Sequence, residues 1–380
     1  MPIGSHFDYI IIGNGLAGLQ LALKMASDTF FYDKQIALID PSEKNINDKT
    51  WSFWETEPSQ WNYLPEKTWK RANIIAFEKT LDLNLSPYTY KSIKAIDFYN
   101  YAKQQLKSHN NIHFIIDEVV SLSENGTLTI NTKKNSFSAN HVFDSRIPES
   151  FYQDSKSIKI NQHFKGIIIK TERDVFDVDT FTMMDYRLKD GKQTTFTYVL
   201  PFSKNEALVE FTYFTENTVD ESVYDIYLKK YIKGYLKIEN YKVIASETGN
   251  IPMTTFLFDR YNTKNITKIG TGGGWVKPSS GYSFKHTEQK VAKIITNIKA
   301  NKRPSHHLFK KKYKFYDKVF LKVLKDENHK GEWIFKQFYA KNDIETMFRF
   351  LDEESNFLEE LKIMFSLFSW SFIKAFFKTL

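Results

Sequence analysis

The spacing of apolar residues changes along the chain, and the changes mark out its parts. A solid β-branched run, Tyr9-Ile10-Ile11-Ile12, reads as a buried parallel strand, and Leu19 to Met25 continues as an apolar helix. A second solid run, Ile36 to Ile39, is the next strand, and Ile112–Ile116 is the third. His141 to Asp144 is a further strand, and Ile96–Leu106 has helical spacing. Residues 61–92 hold short strand-like runs, and Val119–Ser138 alternates as a meander with Asn125-Gly126 as its hairpin turn. From Gln162 the period becomes two. Ile167–Lys170, Thr180–Met184, Thr195–Leu200 and Ala207–Phe214 follow as an antiparallel sheet would, with a turn at Asp190-Gly191. Val219–Leu236 predicts a helix, Ile251-Pro252-Met253 a break, and Ser283–Ile298 another helix. After Arg303 the spacing is mostly helical.

The predicted class is α/β with an α+β insert. A Rossmann-type nucleotide-binding domain is expected at 1–150, with 245–300 returning to it. An inserted antiparallel-sheet substrate domain is expected at 151–244 and a helical region at 301–380. The nucleotide assignment rests on what joins the first two strands. Gly13-Asn14-Gly15-Leu16-Ala17-Gly18 links strand to helix, and Asp40 ends the second strand about twenty residues past Gly18. Gly13 permits the tight turn, Gly15 lets the backbone approach a pyrophosphate, and Gly18 allows close helix–strand contact. Leu16 and Ala17 open the helix, whose N-terminal N–H groups suit phosphate. Asp40 favours an adenosine with a free 2′-hydroxyl, as in FAD or NAD, and the glycines alone do not separate the two. A second cluster, Gly270-Thr271-Gly272-Gly273-Gly274, also lies between a strand and a helix and can face a phosphate or a flavin ring.

Composition narrows the chemistry. The 380 residues hold 33 Phe and 21 Tyr, a surplus that suits a large, flat or greasy ligand. With no Cys, disulfides, thiol catalysis and thiolate metal sites are excluded. No metal-ligand cluster, HExxH or GxSxG is present, so no metal is expected. The net charge of +8 suits an anionic membrane surface better than nucleic acid, because only Lys310-Lys311-Lys312 forms a dense run. No signal peptide is read, since the first apolar run is already a strand, and no apolar stretch reaches the roughly 18 residues needed to span a bilayer. At the C-terminus, 357–380 reads as an amphipathic helix. Glu359, Lys362, Ser366 and Ser369 form its polar stripe, opposite Phe365, Phe368, Phe372, Ile373 and Phe376. Such a helix either caps the substrate domain or docks on a membrane.

Ordered motifs carry a resemblance to a family. After Gly13–Gly18 and Asp40 comes Asp48-Lys49-Thr50-Trp51-Ser52-Phe53-Trp54-Glu55, then Gln162-His163-Phe164-Lys165-Gly166 and Met184-Asp185-Tyr186-Arg187. Leu208–Thr212, Glu247-Thr248-Gly249-Asn250-Ile251-Pro252 and Pro278-Ser279-Ser280-Gly281-Tyr282 follow. In this order the chain resembles the bacterial, flavin-dependent lycopene beta-cyclases to about residue 290. Two departures stand out. The family's paired acids on the Leu208–Thr212 strand are a single Glu210, preceded by Val209, and Thr271 stands where related flavin hydroxylases carry an acid.

The resemblance implies an acid-catalysed isomerisation of lycopene or a related acyclic carotenoid, with FAD working reduced, without turnover of electrons, and NAD(P)H as its reductant. It makes Glu210 the proton donor, since a carboxyl group buried among Phe and Tyr stays protonated near neutrality. Glu247 is a secondary acid. Asp185 and Arg187 either order the cavity near the flavin or form a plain ion pair, and His163 reads as a strand surface residue. The implied flavin contacts are Gly13, Gly15, Leu16, Ala17, Gly18, Asp40, Trp51, Gly270, Gly272, Gly273 and Gly281. A cytoplasmic enzyme, held peripherally on the inner face of the cell membrane, is expected. The competing readings are a flavin monooxygenase or geranylgeranyl-reductase-like oxidoreductase, and more distantly a flavin-binding membrane adaptor.

Overall fold

The computed structural model describes residues 5–380. Its first sheet has a parallel centre, with Ile112–Ile116, Ile36–Asp40, His6–Ile12 and Ser136–Asp144 side by side and Ile266–Lys268 beyond them. The solid apolar runs are buried on both faces, as parallel strands require. Helices Leu16–Ala26, Ala95–Leu106 and Phe284–Lys299 cover one face through a core that includes Leu19, Phe98 and Ile294. On the other face Ile10, Ile12 and Val142 pack with Leu128 and Ile130 of the meander. The meander turns at Gly126, whose φ of 81° suits glycine.

The second sheet does not follow the expected residue blocks. Its seven strands run in the order Lys242–Thr254, Lys159–Lys170, Glu206–Thr215, Thr195–Ser203, Thr180–Asp185, Arg71–Ala76, Lys79–Asn84. The hairpin at 71–84, expected within 1–150, and the strand 242–254, overlapping the block expected to return to the nucleotide domain, are therefore its two edges. The hairpin residues read as strand-like runs, 242–254 carries no strand reading, and neither segment bears a trace of which sheet it joins. The sheet is antiparallel except where Thr180–Asp185 pairs parallel with Arg71–Ala76. Pro252 does not break the chain either. It lies within an edge strand, paired only with Lys159–Lys170, where a missing N–H is tolerated. A small third sheet, Thr50–Glu55, Thr89–Lys94 and Lys67–Trp69, bridges the two larger ones.

Helices close the far side of the second sheet. Lys311–Asp326, Gly331–Lys341 and Ile344–Leu351 bury Leu321, Phe335 and Phe348 against Phe181, Phe196 and Phe214. The expected single helix at 357–380 is two, Phe357–Ser366 and Trp370–Thr379, separated where Ser369 is extended. The expected polar stripe and apolar face are both divided. Lys362 is exposed but Ser366 buried, and Phe372 and Ile373 are half-buried while Phe365 and Phe368 are exposed. Ser366 is buried and bonded to Asn342, and Ser371 and Thr379 also face inward, whereas Phe365, Phe368 and Trp370 point to solvent. Ile363 and Ala375 supply the inward apolar contacts. Among the described residues no helix is long and apolar enough to cross a membrane.

Candidate active site

A cavity of about 450 Å³ lies where the two large sheets meet. The glycine turn forms one end. Gly13 has φ of +101°, and a Cβ there would overlap the Ser145 hydroxyl. Gly18 is held just as closely against the carbonyl of Gly13. Gly15 differs, because a Cβ on it meets nothing within 4 Å. It fronts open space at the start of a helix with no side-chain cap and no acid in its first turn. The N–H groups there are free to take an anionic group. Leu16, Ala17, Trp51, Gly270 and Gly281 share this cavity. Trp51 is held edge-on by Phe98 and Tyr99 at 5.5 and 5.8 Å.

Other expected contacts lie off the cavity wall. The Asp40 carboxylate accepts from the N–H groups of Asn14 (2.7 Å) and Ser42 (2.8 Å), and Lys44 stands 3.7 Å away. It shapes the glycine turn from behind. Gly272 and Gly273 fit against the backbone of Arg146 and Lys268, so their lack of a side chain serves packing. Asp185 and Arg187 are also elsewhere. Asp185 is fully buried beneath helix Glu221–Gly234, where it accepts from Arg187 Nε (3.0 Å) and the Tyr231 hydroxyl (2.7 Å). Of the two readings left open for this pair, the structure has the ion pair. His163, expected at a surface, is 1% exposed. Its ring stacks on Tyr213 at 4.9 Å and Nε2 bonds Thr215 at 2.7 Å, and burial pushes its pKa down to about 4.

The opposite end of the cavity is acidic. Three adjacent strands place Glu247, Gly166 and Glu210 in one row across the sheet. A Cβ at Gly166 would lie 3.3 Å from Glu247 Cγ and 3.5 Å from Glu210 Cβ, so the glycine leaves the gap between the two glutamates. Glu210 is 8% exposed. Burial, and then the charge of Glu247, push its pKa up to about 8. The Thr212 hydroxyl, donating at 2.6 Å, pulls the other way and is outweighed. Glu247 is raised as well, chiefly by burial, and accepts from the Thr50 hydroxyl at 2.9 Å. Glu210 is thus held protonated at neutral pH and faces a cavity lined by both aromatic and polar side chains.

Beside it stands a group that the sequence reading missed. Tyr198 is the register partner of Glu210 on the next strand. Its hydroxyl lies 2.7 Å from that of Tyr90, which lies 3.0 Å from that of Tyr282. Burial drives all three phenols well above their ordinary pKa, so they stay neutral. They come from residues 90, 198 and 282, and no local spacing links them. Only Tyr282 falls within a recognised motif. The Asp48–Glu55 string is divided along its length, the first half lining the cavity and the second packing in the core. Thr50 and Trp51 serve the cavity, while Phe53 stacks on Phe284 and Trp54 on Phe348 at 4.1 and 4.4 Å.

A Rossmann-type sheet joined to an antiparallel sheet, with a glycine turn facing their junction, is the fold of several flavin-dependent enzymes. A geranylgeranyl bacteriochlorophyll reductase-like protein from Thermoplasma acidophilum matches 99% of this chain and 100% of its own, with TM-score 0.63 and 13% identity. The flavin-dependent brominase Bmp2 matches 95% and 94%, with TM-score 0.59 and 13% identity. A variant of the halogenase PltM solved in complex with FAD matches 91% and 78%, with TM-score 0.58 and 9% identity. The sequence profile of the family described as lycopene cyclase protein matches residues 8–376, and the chain belongs to that family. It is 26% identical to a lycopene beta cyclase of Capsicum annuum over 313 residues, 77% of this chain and 60% of the relative. It is 24% identical to a capsanthin/capsorubin synthase of the same plant over 315 residues, 73% and 57%. The chain therefore spans less than two thirds of the length of these relatives.

Proposed function

We propose that the chain is an FAD-dependent lycopene cyclase, converting the ψ-ends of lycopene to β-ionone rings by way of γ-carotene to β-carotene. The observation that carries this reading is a neutral, buried Glu210 at one end of a cavity whose other end is the open cradle at Gly15. The residues present fit FAD. Gly15, Leu16 and Ala17 would hold its pyrophosphate, with Trp51, Gly270 and Gly281 around its ring system. Bound there in reduced form, with NAD(P)H as the source of electrons, it supplies negative charge beside a cationic substrate and undergoes no net redox change.

Glu210 gives its proton to the terminal double bond of the substrate, and the ring closes through the resulting carbocation. The faces of Tyr90, Tyr198 and Tyr282 line the space and favour positive charge, while their neutral hydroxyls, bonded to one another, add no base that would quench it early. A second proton leaves the ring to Glu247, and its return across the gap at Gly166 restores Glu210. Atoms and electrons balance. The apolar surroundings exclude the water that would trap the cation.

The substrate is insoluble in water, and the exposed aromatic face of the C-terminal helices gives the enzyme a means of reaching it. Phe357, Leu358, Phe365, Phe368, Trp370 and Phe377 are each about 70% exposed. In this reading they enter the headgroup boundary of the inner face of the cell membrane, with the +8 charge adding salt-sensitive attraction. Expression in a lycopene-accumulating bacterial host tests the proposal. Pigment chromatography should show red lycopene replaced by γ- or β-carotene, and unchanged lycopene overturns it. An oxidoreductase on this fold would instead consume NAD(P)H in proportion to product, which the purified enzyme should not do.

A further inference from the structure

A second cavity, of about 370 Å³, lies beneath the C-terminal helices. Its inner wall is Ile334, Phe335 and Phe338, all buried, and its mouth is formed by Met364, Phe368 and Phe377, all exposed. Few polar groups line it. The main one, Asp317, has its carboxylate turned 3.0 Å from the Lys277 ammonium. An apolar chamber of this size, open at an exposed aromatic face, suits a hydrocarbon.

Its inner end adjoins the candidate active site. Ser279 lines the chamber and the next residue, Ser280, lines the site. The ring of Phe335, in the chamber, is 5.8 Å from that of Phe214, in the site. The site alone is too small for its task. Its 450 Å³ includes the cradle at Gly15 as well as the space before Glu210, so cofactor and one substrate end would fill it. A carotenoid is a long polyene that reacts only at its end, and the unreacting length must lie elsewhere.

We propose that the chamber is the berth for the unreacting part of the polyene, and that its mouth is where the substrate enters from the bilayer. This inference rests on the cyclase reading. The reacting end reaches Glu210 by parting the contact between Phe214 and Phe335, the middle lies against Phe335 and Phe338, and the far end emerges at Phe368 and Phe377. The substrate thus need never cross water between membrane and acid.

Filling the chamber with larger side chains tests this. Phe338→Trp narrows it at depth, and Ile373→Trp narrows it near the half-buried mouth, where misfolding is less of a risk. With lycopene in detergent micelles and FAD-loaded protein kept reduced by dithionite under anaerobic conditions, each should lower kcat/KM by roughly tenfold, mostly through KM, which corresponds to about 1.4 kcal/mol of lost binding. FAD content and melting temperature should match the parent. If folded, FAD-loaded Ile373→Trp cyclises lycopene with the parent's KM, the cavity is only a packing void and the berth is refuted. If the parent itself cyclises nothing under these conditions, the cyclase reading fails and the berth falls with it.

Discussion

Glu210 holds its proton because of what surrounds it, above all because it is buried. Gly166 admits the carboxyl between strands, burial withdraws water, and Glu247 adds a like charge. Glu210→Gln, which keeps the shape and removes the acid, should cut cyclisation by at least about a hundredfold while FAD stays bound. A variant as active as the parent would remove Glu210 from the mechanism. Activity of the parent should fall as pH rises through about 8, where Glu210 loses its proton, and fall again on the acid side as Glu247, the proton acceptor, is protonated. Gly15→Val is expected to yield colourless protein, since its side chain would enter the open cradle. Retention of stoichiometric yellow cofactor would contradict the role given to this turn. The cradle and Glu210 were both legible in the sequence, the first from a local pattern and the second from a family motif on an apolar strand. The tyrosine trio was not, because residues 90, 198 and 282 meet only through strand pairing and a turn. Asp185 and Arg187 misled for the converse reason, as their adjacency in a motif says nothing about which face of the sheet they take.

At the level of elements, local periodicity predicted the parallel strands and the longer helices before residue 300, missed the strands Thr50–Glu55 and Lys242–Thr254, and failed on partnership. The strand Arg71–Ala76 alternates like its neighbours in sequence yet joins a sheet centred more than a hundred residues later. At the C-terminus the helical reading held, but a break at Ser369 that no glycine or proline announces makes two helices of one and divides its expected faces. That division changes which substitution is informative. Truncation after Glu354 removes Ile363 from the core and the buried Glu360, which accepts from Tyr316 at 2.9 Å. It should therefore lower the melting temperature. Phe365→Glu with Trp370→Glu alters only exposed positions. This pair should leave the melting temperature within about 1 °C of the parent, since surface changes are usually within about 0.5 kcal/mol. It should also abolish flotation with anionic liposomes. If the double variant still floats, these helices do not dock on lipid.

Across the whole molecule, the candidate site draws on Thr50, Tyr90, Gly166, Tyr198, Glu210, Glu247 and Tyr282, so its walls exist only once the second and third sheets are both in place. A fragment ending at residue 150 would carry the hairpin at 71–84, whose strand Arg71–Ala76 has its other partner, Thr180–Asp185, beyond it. It is expected to aggregate on expression, and a soluble, cofactor-binding fragment would show that the first sheet folds alone. The same dependence has a consequence for protons. Unfolded, Glu210 would titrate near 4.5 and Asp352 near 3.8, whereas in the fold they titrate at about 8 and about 7. At neutral pH these two groups therefore take up protons as the chain folds, whereas the buried His141, His163 and His286, pushed down to about 4, 4 and 3, give theirs up. The two carboxyls make stability fall as pH rises between those limits. Unfolding followed by calorimetry at pH 6.5, in buffers of contrasting ionisation enthalpy, should show Glu210's share as the difference in protons exchanged between the parent and Glu210→Gln. The acid is charged with its proton by the act of folding, before any substrate arrives.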